Sequence, residues 1–194
     1  VASVTVSFFS SSFCAYLYAI THSTNSPANF FTSCTSIFNS GLLCFNPDFN
    51  FDHPKSIDFE RLIAYARNLK KGSSFEYPKY DFTLHSYGQE RITVPEKVEV
   101  GIIEGIYALY SGSEIGHNLL SLYDQRLFVV TTPEIAQNRR ILRDIKERGR
   151  VLEDVIKQLE TTVIPMQKQF VYSTQLNADD IVDWRADESK NIEL

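Results

Sequence analysis

Between Arg139 and Arg150 the chain gathers half of its arginines: Arg139, Arg140, Arg143, Arg148 and Arg150. A guanidinium is a planar fork of donors that fits the oxygens of phosphate or carboxylate, and it stays charged at any working pH. In a helix the run spans about three turns, with Gly149 placed before the last arginine. Two readings stand side by side. One is a clamp for a polyphosphate. The other is a solvated helix whose charge is spent internally, because Arg140–Asp144, Arg143–Glu147 and Asp144–Arg148 all lie at i,i+4.

Other residues with chemistry in reach are spread along the chain. Asp52 precedes His53-Pro54, a turn or helix-start context. Its carboxylate only accepts hydrogen bonds. Tyr80 and His85 flank a short aromatic segment. A histidine donates or accepts at either ring nitrogen, and both residues could equally be half-buried structural residues. Glu104 ends an apolar run before Gly105, where an ordinary strand-end acid is one reading. His22, His53 and His117 read as structural or surface residues.

Elements that position these residues follow from periodicity. Phe59, Leu62, Ile63, Ala66 and Leu69 predict an amphipathic helix over 57–70, stopped at Lys71-Gly72-Ser73. Residues 75–82 predict an extended segment and 91–94 a short strand. Residues 98–103 and 127–130 are apolar runs of the kind found in buried parallel strands. A short helix is expected over 115–122. Thr131-Thr132-Pro133-Glu134 opens the arginine helix with a threonine cap, an early proline and an acid at its positive end. Residues 151–159 and 164–172 predict two further helices, the second beginning at Pro165. Alternating strands and helices point to an α/β fold with a parallel sheet flanked by helices.

The bulk numbers narrow the partners. At 194 residues the chain is long enough for one domain with a real core. Its net charge of -5 and pI of about 5.4 argue against nucleic acid or a polybasic membrane surface. The basic charge is local, which suits a small anion. Cys14, Cys34 and Cys44 are too widely spaced for a zinc site, and their number is odd, so neither metal ligation nor a disulfide framework is expected. Phe8 to Ile20 is the most apolar stretch, but serines interrupt it and no basic leader precedes it. A cytoplasmic protein is the expectation.

Composition changes near residue 50. Among the first 50 residues Asp48 is the only acid, and the first lysine or arginine is Lys55. Three readings of residues 1–48 remain open: a targeting segment, a β-rich start to the domain, or translated sequence that was never selected to fold.

Taken in order, four motifs resemble a known family. They are Asn50-Phe51-Asp52-His53-Pro54, Tyr80-Asp81-Phe82-Thr83-Leu84-His85, Ile103-Glu104-Gly105-Ile106-Tyr107-Ala108-Leu109-Tyr110, and the Arg139 to Arg150 run. Over residues 49–187 the chain resembles uridine kinase, the uridine–cytidine branch of the phosphoribulokinase-like P-loop kinases. The resemblance implies a P-loop-kinase-like parallel sheet flanked by helices, incomplete at the N-terminus, with residues 49–194 as the domain. It implies transfer of the γ-phosphate of ATP, with Mg²⁺, to the 5′-hydroxyl of uridine or cytidine in pyrimidine salvage.

Matched position by position, Asp52 takes the ribose hydroxyls, while Tyr80 and His85 read the pyrimidine. Arg140, Arg150 and Gln158 line the nucleoside site. Arg143 and Arg148 form the lid over the ATP phosphates, Glu104 lies near the metal, and Asp187 falls on the adenine side. A homo-tetramer is implied by the same analogy.

The chain also departs from the pattern. The family's Gly-x-x-x-x-Gly-Lys-Ser/Thr loop holds phosphates on backbone amides and a lysine, and Mg²⁺ on its hydroxyl. No such motif occurs: Gly41 is the only glycine before Gly72. The Asp-x-Phe-Tyr segment that carries the base has no convincing counterpart, Asn46-Pro47-Asp48-Phe49 being the nearest. The expectation is therefore a kinase fold with impaired turnover. The alternatives are a non-catalytic nucleoside-binding relative and a related kinase for another small hydroxyl substrate.

Overall fold

The structure is a computed structural model. It describes residues 3–8, 30–34, 50–81 and 86–183, with backbone alone for the first two stretches and for Tyr80, Asp81 and Ser86. His85 and Asp187 lie outside the described residues.

Five strands form one parallel sheet: β1 (Ser3–Phe8), β2 (Phe30–Cys34), β5 (Val100–Glu104), β6 (Gln125–Val130) and β7 (Asp180–Asp183), in the order β2-β5-β1-β6-β7. A separate antiparallel hairpin joins β3 (Phe75–Asp81) to β4 (Ser86–Val94). The central strand comes from the charge-free segment, where Ser3-Val4-Thr5-Val6-Ser7-Phe8 alternates polar and apolar residues. Its register sets Ser7 beside Glu104 of β5, and Glu104 beside Cys34 of β2. The α/β parallel sheet flanked by helices expected from the alternation is the architecture found.

Helix α1 (Phe59–Lys71) buries Phe59, Leu62, Ile63, Ala66 and Leu69, the stripe its spacing predicts. Asp58 caps it by accepting from the Arg61 N–H, and Gly72 closes it in the left-handed region at φ 66°. It lies so close to β5 that a Cβ at Gly101 would stand 3.0 Å from the Leu69 side chain. Each fully buried leucine or isoleucine of this face contributes about 2 kcal/mol. The hairpin leans on the same helix, with Tyr65 stacked on Phe75 at 5.2 Å.

Helix α2 (Glu114–Leu120) is capped by Ser113, and α3 (Pro133–Lys146) by Thr132, whose hydroxyl accepts from the Ile135 N–H. From Leu152 the chain runs helically to Asn177 without the break expected at Pro165. Proline has no N–H and crowds the preceding turn. The run (α4, beginning Leu152–Gln158) absorbs this with two widened π turns, Leu159–Val163 and Gln167–Val171, on either side of Pro165. Ile164 N–H accordingly donates to Leu159 O, five residues back. Val155, Leu159 and Val163 form a small second core against Ile141, which clips α4 to α3. Among the described residues, no helix is long and apolar enough to cross a membrane.

Candidate functional site

Asp52 sits in a turn that the local sequence builds tightly. Asn50 Oδ1 accepts from the Asp52 N–H at 3.0 Å, an Asx turn. Pro54–Ser56 adds a 3-10 turn, and the Ser56 hydroxyl bonds the carbonyls of Phe51 and His53. His53 Nδ1 accepts from the Lys55 N–H at 3.1 Å, which requires an unprotonated nitrogen. Partial burial, and then the Lys55 charge, hold the His53 pKa below the usual histidine value. Its ring stands edge-on to Phe170 at 5.0 Å. Underneath, the buried Tyr107 donates its phenol to the Asp52 carbonyl. Burial, followed by the Asp52 charge, pushes the Tyr107 pKa above its ordinary value, so the phenol keeps the proton it donates.

The Asp52 side chain is equally held. Oδ2 accepts from the Thr162 hydroxyl at 2.8 Å and from Gln158 Nε2 at 3.4 Å. Oδ1 lies 3.9 Å from an Arg140 guanidinium nitrogen. Gln158 is oriented by chemistry: its carbonyl Oε1 accepts from Arg150 at 2.5 Å, leaving its amide N–H for the carboxylate.

A second carboxylate organises the arginines. Asp144 is fully buried. It receives Arg143 through Nε at 2.9 Å and a terminal nitrogen at 2.7 Å, and Arg148 at 3.1 Å. Arg150 approaches at 3.5 Å and Arg140 at 3.7 Å. Gly149, left-handed at φ 63°, turns the chain so that the Arg150 N–H also caps the Asp144 carbonyl at 3.0 Å. The result is a closed ring: Asp52, Arg140, Asp144, Arg150, Gln158 and back to Asp52. Four guanidinium groups face two carboxylates, which leaves an excess of positive charge for an anionic ligand. Burial pulls the Arg140 pKa below its usual value, while Asp52 and Asp144 push it back up.

The structure thus brings together Asp52, Arg140, Arg143, Arg148, Arg150 and Gln158. Of the i,i+4 pairs the sequence offers, Arg140–Asp144 and Asp144–Arg148 form, whereas Arg143 turns to its neighbour Asp144 instead of Glu147. Glu104, only 5 % exposed, stands apart at the carboxyl end of β5. Tyr80 lies in β3 opposite Tyr87.

The roles of three residues are not read from the sequence. Asp144 has arginines at −4, −1, +4 and +6, a signal that was there to be used. Thr162 follows Gln158 by four residues, one turn along the same helix face. Nothing in the sequence marks Tyr107 as the partner of a carbonyl 55 residues away.

The charge excess on the arginine side fits phosphate oxygens. Glu104 fits a hydrated Mg²⁺, which asks for one or two carboxylates rather than a cage. Among the described residues, no three His, Cys, Asp or Glu side chains converge to hold a metal alone. The residues that follow β1, Phe9 to Tyr16, contain neither glycine nor lysine and do not fit a phosphate loop of the Gly-Lys type.

Comparison with known proteins places these features. Residues 37–189 match the model of the phosphoribulokinase / uridine kinase family. A uridine kinase of Macrococcus caseolyticus is 41% identical over 133 residues, covering 69% of this chain and 62% of that protein. Uridine-cytidine kinase 2-B of Danio rerio is 38% identical over 146 residues, covering 75% of this chain and 54% of that protein. The chain therefore spans less than two thirds of either relative. Among solved structures, the fold is similar to D-glycerate 3-kinase from Cryptococcus neoformans, with a TM-score of 0.68 at 15% identity over 94% of this chain and 86% of that one. It is also similar to phosphoribulokinase from Rhodobacter spheroides, with a TM-score of 0.64 at 13% identity over 92% of this chain and 68% of that one.

Proposed function

The chain belongs to the phosphoribulokinase / uridine kinase family, and from that premise we propose that its Asp52 centre binds uridine or cytidine. The reaction the fold serves is phosphoryl transfer from ATP to the nucleoside 5′-hydroxyl, giving UMP or CMP. The observation that carries this reading is the ring around Asp52, a carboxylate held by two hydrogen-bond donors and the Arg140 ion pair beside an excess of guanidinium charge.

In this reading Asp52 accepts hydrogen bonds from the ribose hydroxyls. Gln158 and Arg150 border the base, with Tyr80 and His85 reading its edge. Arg140 bridges the ribose acid and the arginine helix. Arg143 and Arg148 turn from Asp144 toward phosphate, supplying charge where it develops during transfer. Glu104 would hold Mg²⁺, which would supply charge neutralisation at phosphate oxygens, and the resemblance assigns Asp187 to adenine recognition.

Turnover of this chain is impaired in the same reading, because the sequence after β1 lacks the glycines and lysine that cradle phosphates, and no Asp-x-Phe-Tyr segment supplies a base. Those absences favour a second reading, a nucleoside-binding relative without catalysis. Formation of UMP by purified chain with Mg²⁺, ATP and uridine separates the two. The expected rate is far below the roughly 1–100 per second of ordinary kinases. A rate within that range refutes the impairment.

A further inference from the structure

Asp52 is the centre of the site, yet its carboxylate is fixed by a residue with no assigned role. Thr162 Oγ1 lies 2.8 Å from Asp52 Oδ2, the shortest contact that carboxylate makes. The same oxygen lies 3.1 Å from the Gln158 carbonyl. A hydroxyl carries one proton, and a charged acceptor at shorter range takes it in preference to a neutral one. Thr161 next door shows the default: its hydroxyl bonds back to the Lys157 carbonyl at 2.7 Å within its own helix. Thr162 is diverted from that default across 110 residues of sequence. It lies in the π turn that starts directly after Gln158, so one widened turn presents both an amide and a hydroxyl to Oδ2. Oδ1 is left facing Arg140 at 3.9 Å, a gap longer than a hydrogen bond.

We propose that Thr162 is a positioning residue that locks the Asp52 carboxylate through Oδ2, leaving Oδ1 as the acceptor for a substrate hydroxyl. The proposal deepens the nucleoside reading and rests on it for the ligand, but not for the contact. Fixing one oxygen removes rotation about the carboxyl bond before substrate arrives. Less order then has to be imposed on binding, and the ribose diol meets an acceptor already aimed. A vicinal diol gains more from that alignment than a single hydroxyl does.

Two measurements test it. Calorimetric titration with uridine and 2′-deoxyuridine compares the unaltered chain with Thr162→Val, which keeps the shape and removes the hydroxyl, and with Thr162→Ser, which keeps the hydroxyl. Thr162→Val weakens uridine binding about tenfold, as expected for loss of a hydrogen bond to a charged group. It also narrows the preference for uridine over 2′-deoxyuridine, and Thr162→Ser restores both. Equal affinities for Thr162→Val and the unaltered chain overturn the proposal. So does a Thr162→Ser variant as weak as Thr162→Val, since the methyl rather than the hydroxyl then matters.

Denaturant unfolding of Asp52→Asn, Thr162→Val and the double variant reads the contact without ligand. The two effects are non-additive if the hydroxyl serves Asp52, and additive effects overturn the proposal. Should the unaltered chain fail to bind uridine, the nucleoside reading falls, and this unfolding cycle alone decides the role of Thr162.

Discussion

Two regions of the molecule stand in contrast: the ring between α3, α4 and the Asp52 turn, and the carboxyl end of β1. In the first, both carboxylates have hydrogen-bond donors, while the buried Arg140 Nε makes no hydrogen bond and meets Asp144 as an ion pair at 3.7 Å. Asp144 gathers four guanidinium groups, Gln158 bridges a donor-only arginine to an acceptor-only carboxylate, and Thr162 and Tyr107 hold Asp52 by its side chain and its carbonyl. In the second, the register sets β1 between β5 and β6, with Glu104 alongside, but Phe9 to Tyr16, which follow in sequence, contain no glycine or lysine. The ring joins residues spread over a hundred positions of sequence. Cradling a phosphate depends on one short loop. A chain that keeps the first and lacks the second is expected to bind while transferring slowly.

The sharpest way to break the contrast is at Asp144. Replacing it with asparagine leaves guanidinium groups crowded around a neutral amide in a buried place, and should lower stability by about 3 kcal/mol. Denaturant unfolding measures this; a loss below about 1 kcal/mol means the arginines do not depend on that carboxylate. Next in size is Asp52→Ala, which removes the acceptor proposed for the diol. It should weaken uridine binding about a hundredfold, two hydrogen bonds from a charged group being lost at once. Unchanged binding moves the ligand elsewhere.

Much of the ring's frame was legible in the sequence. The stripe from Phe59 to Leu69, the apolar runs of β5 and β6 and the Thr132 cap each announce themselves through local periodicity or capping chemistry, and each formed where expected. The alternation in Ser3–Phe8 is just as regular, but it is only six residues long and is diluted in a serine- and phenylalanine-rich segment. Pro165 misled for a physical reason. Proline ends an α-helix more often than it is carried through one, and π turns that accommodate it leave no trace in residue type.

Arg140, Arg143, Arg148, Arg150, Gln158 and Asp52 were individually visible as candidates. Their closure into a ring was not, since it joins residues 52 and 158 through a tertiary approach that spacing does not encode. Asp144 was first weighed only as a partner that used up charge. Its burial makes it instead the anchor that holds the charge in place.

Two smaller effects sharpen the account of the Asp52 turn. Tyr107→Phe removes the donor to the Asp52 carbonyl and should cost about 1 kcal/mol in unfolding experiments. No loss at all would mean water replaces the phenol. The pH dependence at His53 is subtler. Its folded pKa lies below the unfolded value of about 6.5, so its contribution is fully present above that pH. The contribution is lost as the pH falls from there toward the folded pKa, because the unfolded chain takes up the proton first. His53→Asn should flatten that part of the stability profile; an unchanged slope assigns it to another group.

The contrast between the two regions is tested most directly by one calorimetric series on the intact chain, first with uridine and then with Mg²⁺ and ATP. The account predicts saturable uridine binding that Asp52→Ala weakens about a hundredfold, and binding of ATP too weak to saturate. Tight ATP binding in the absence of any uridine binding would contradict it.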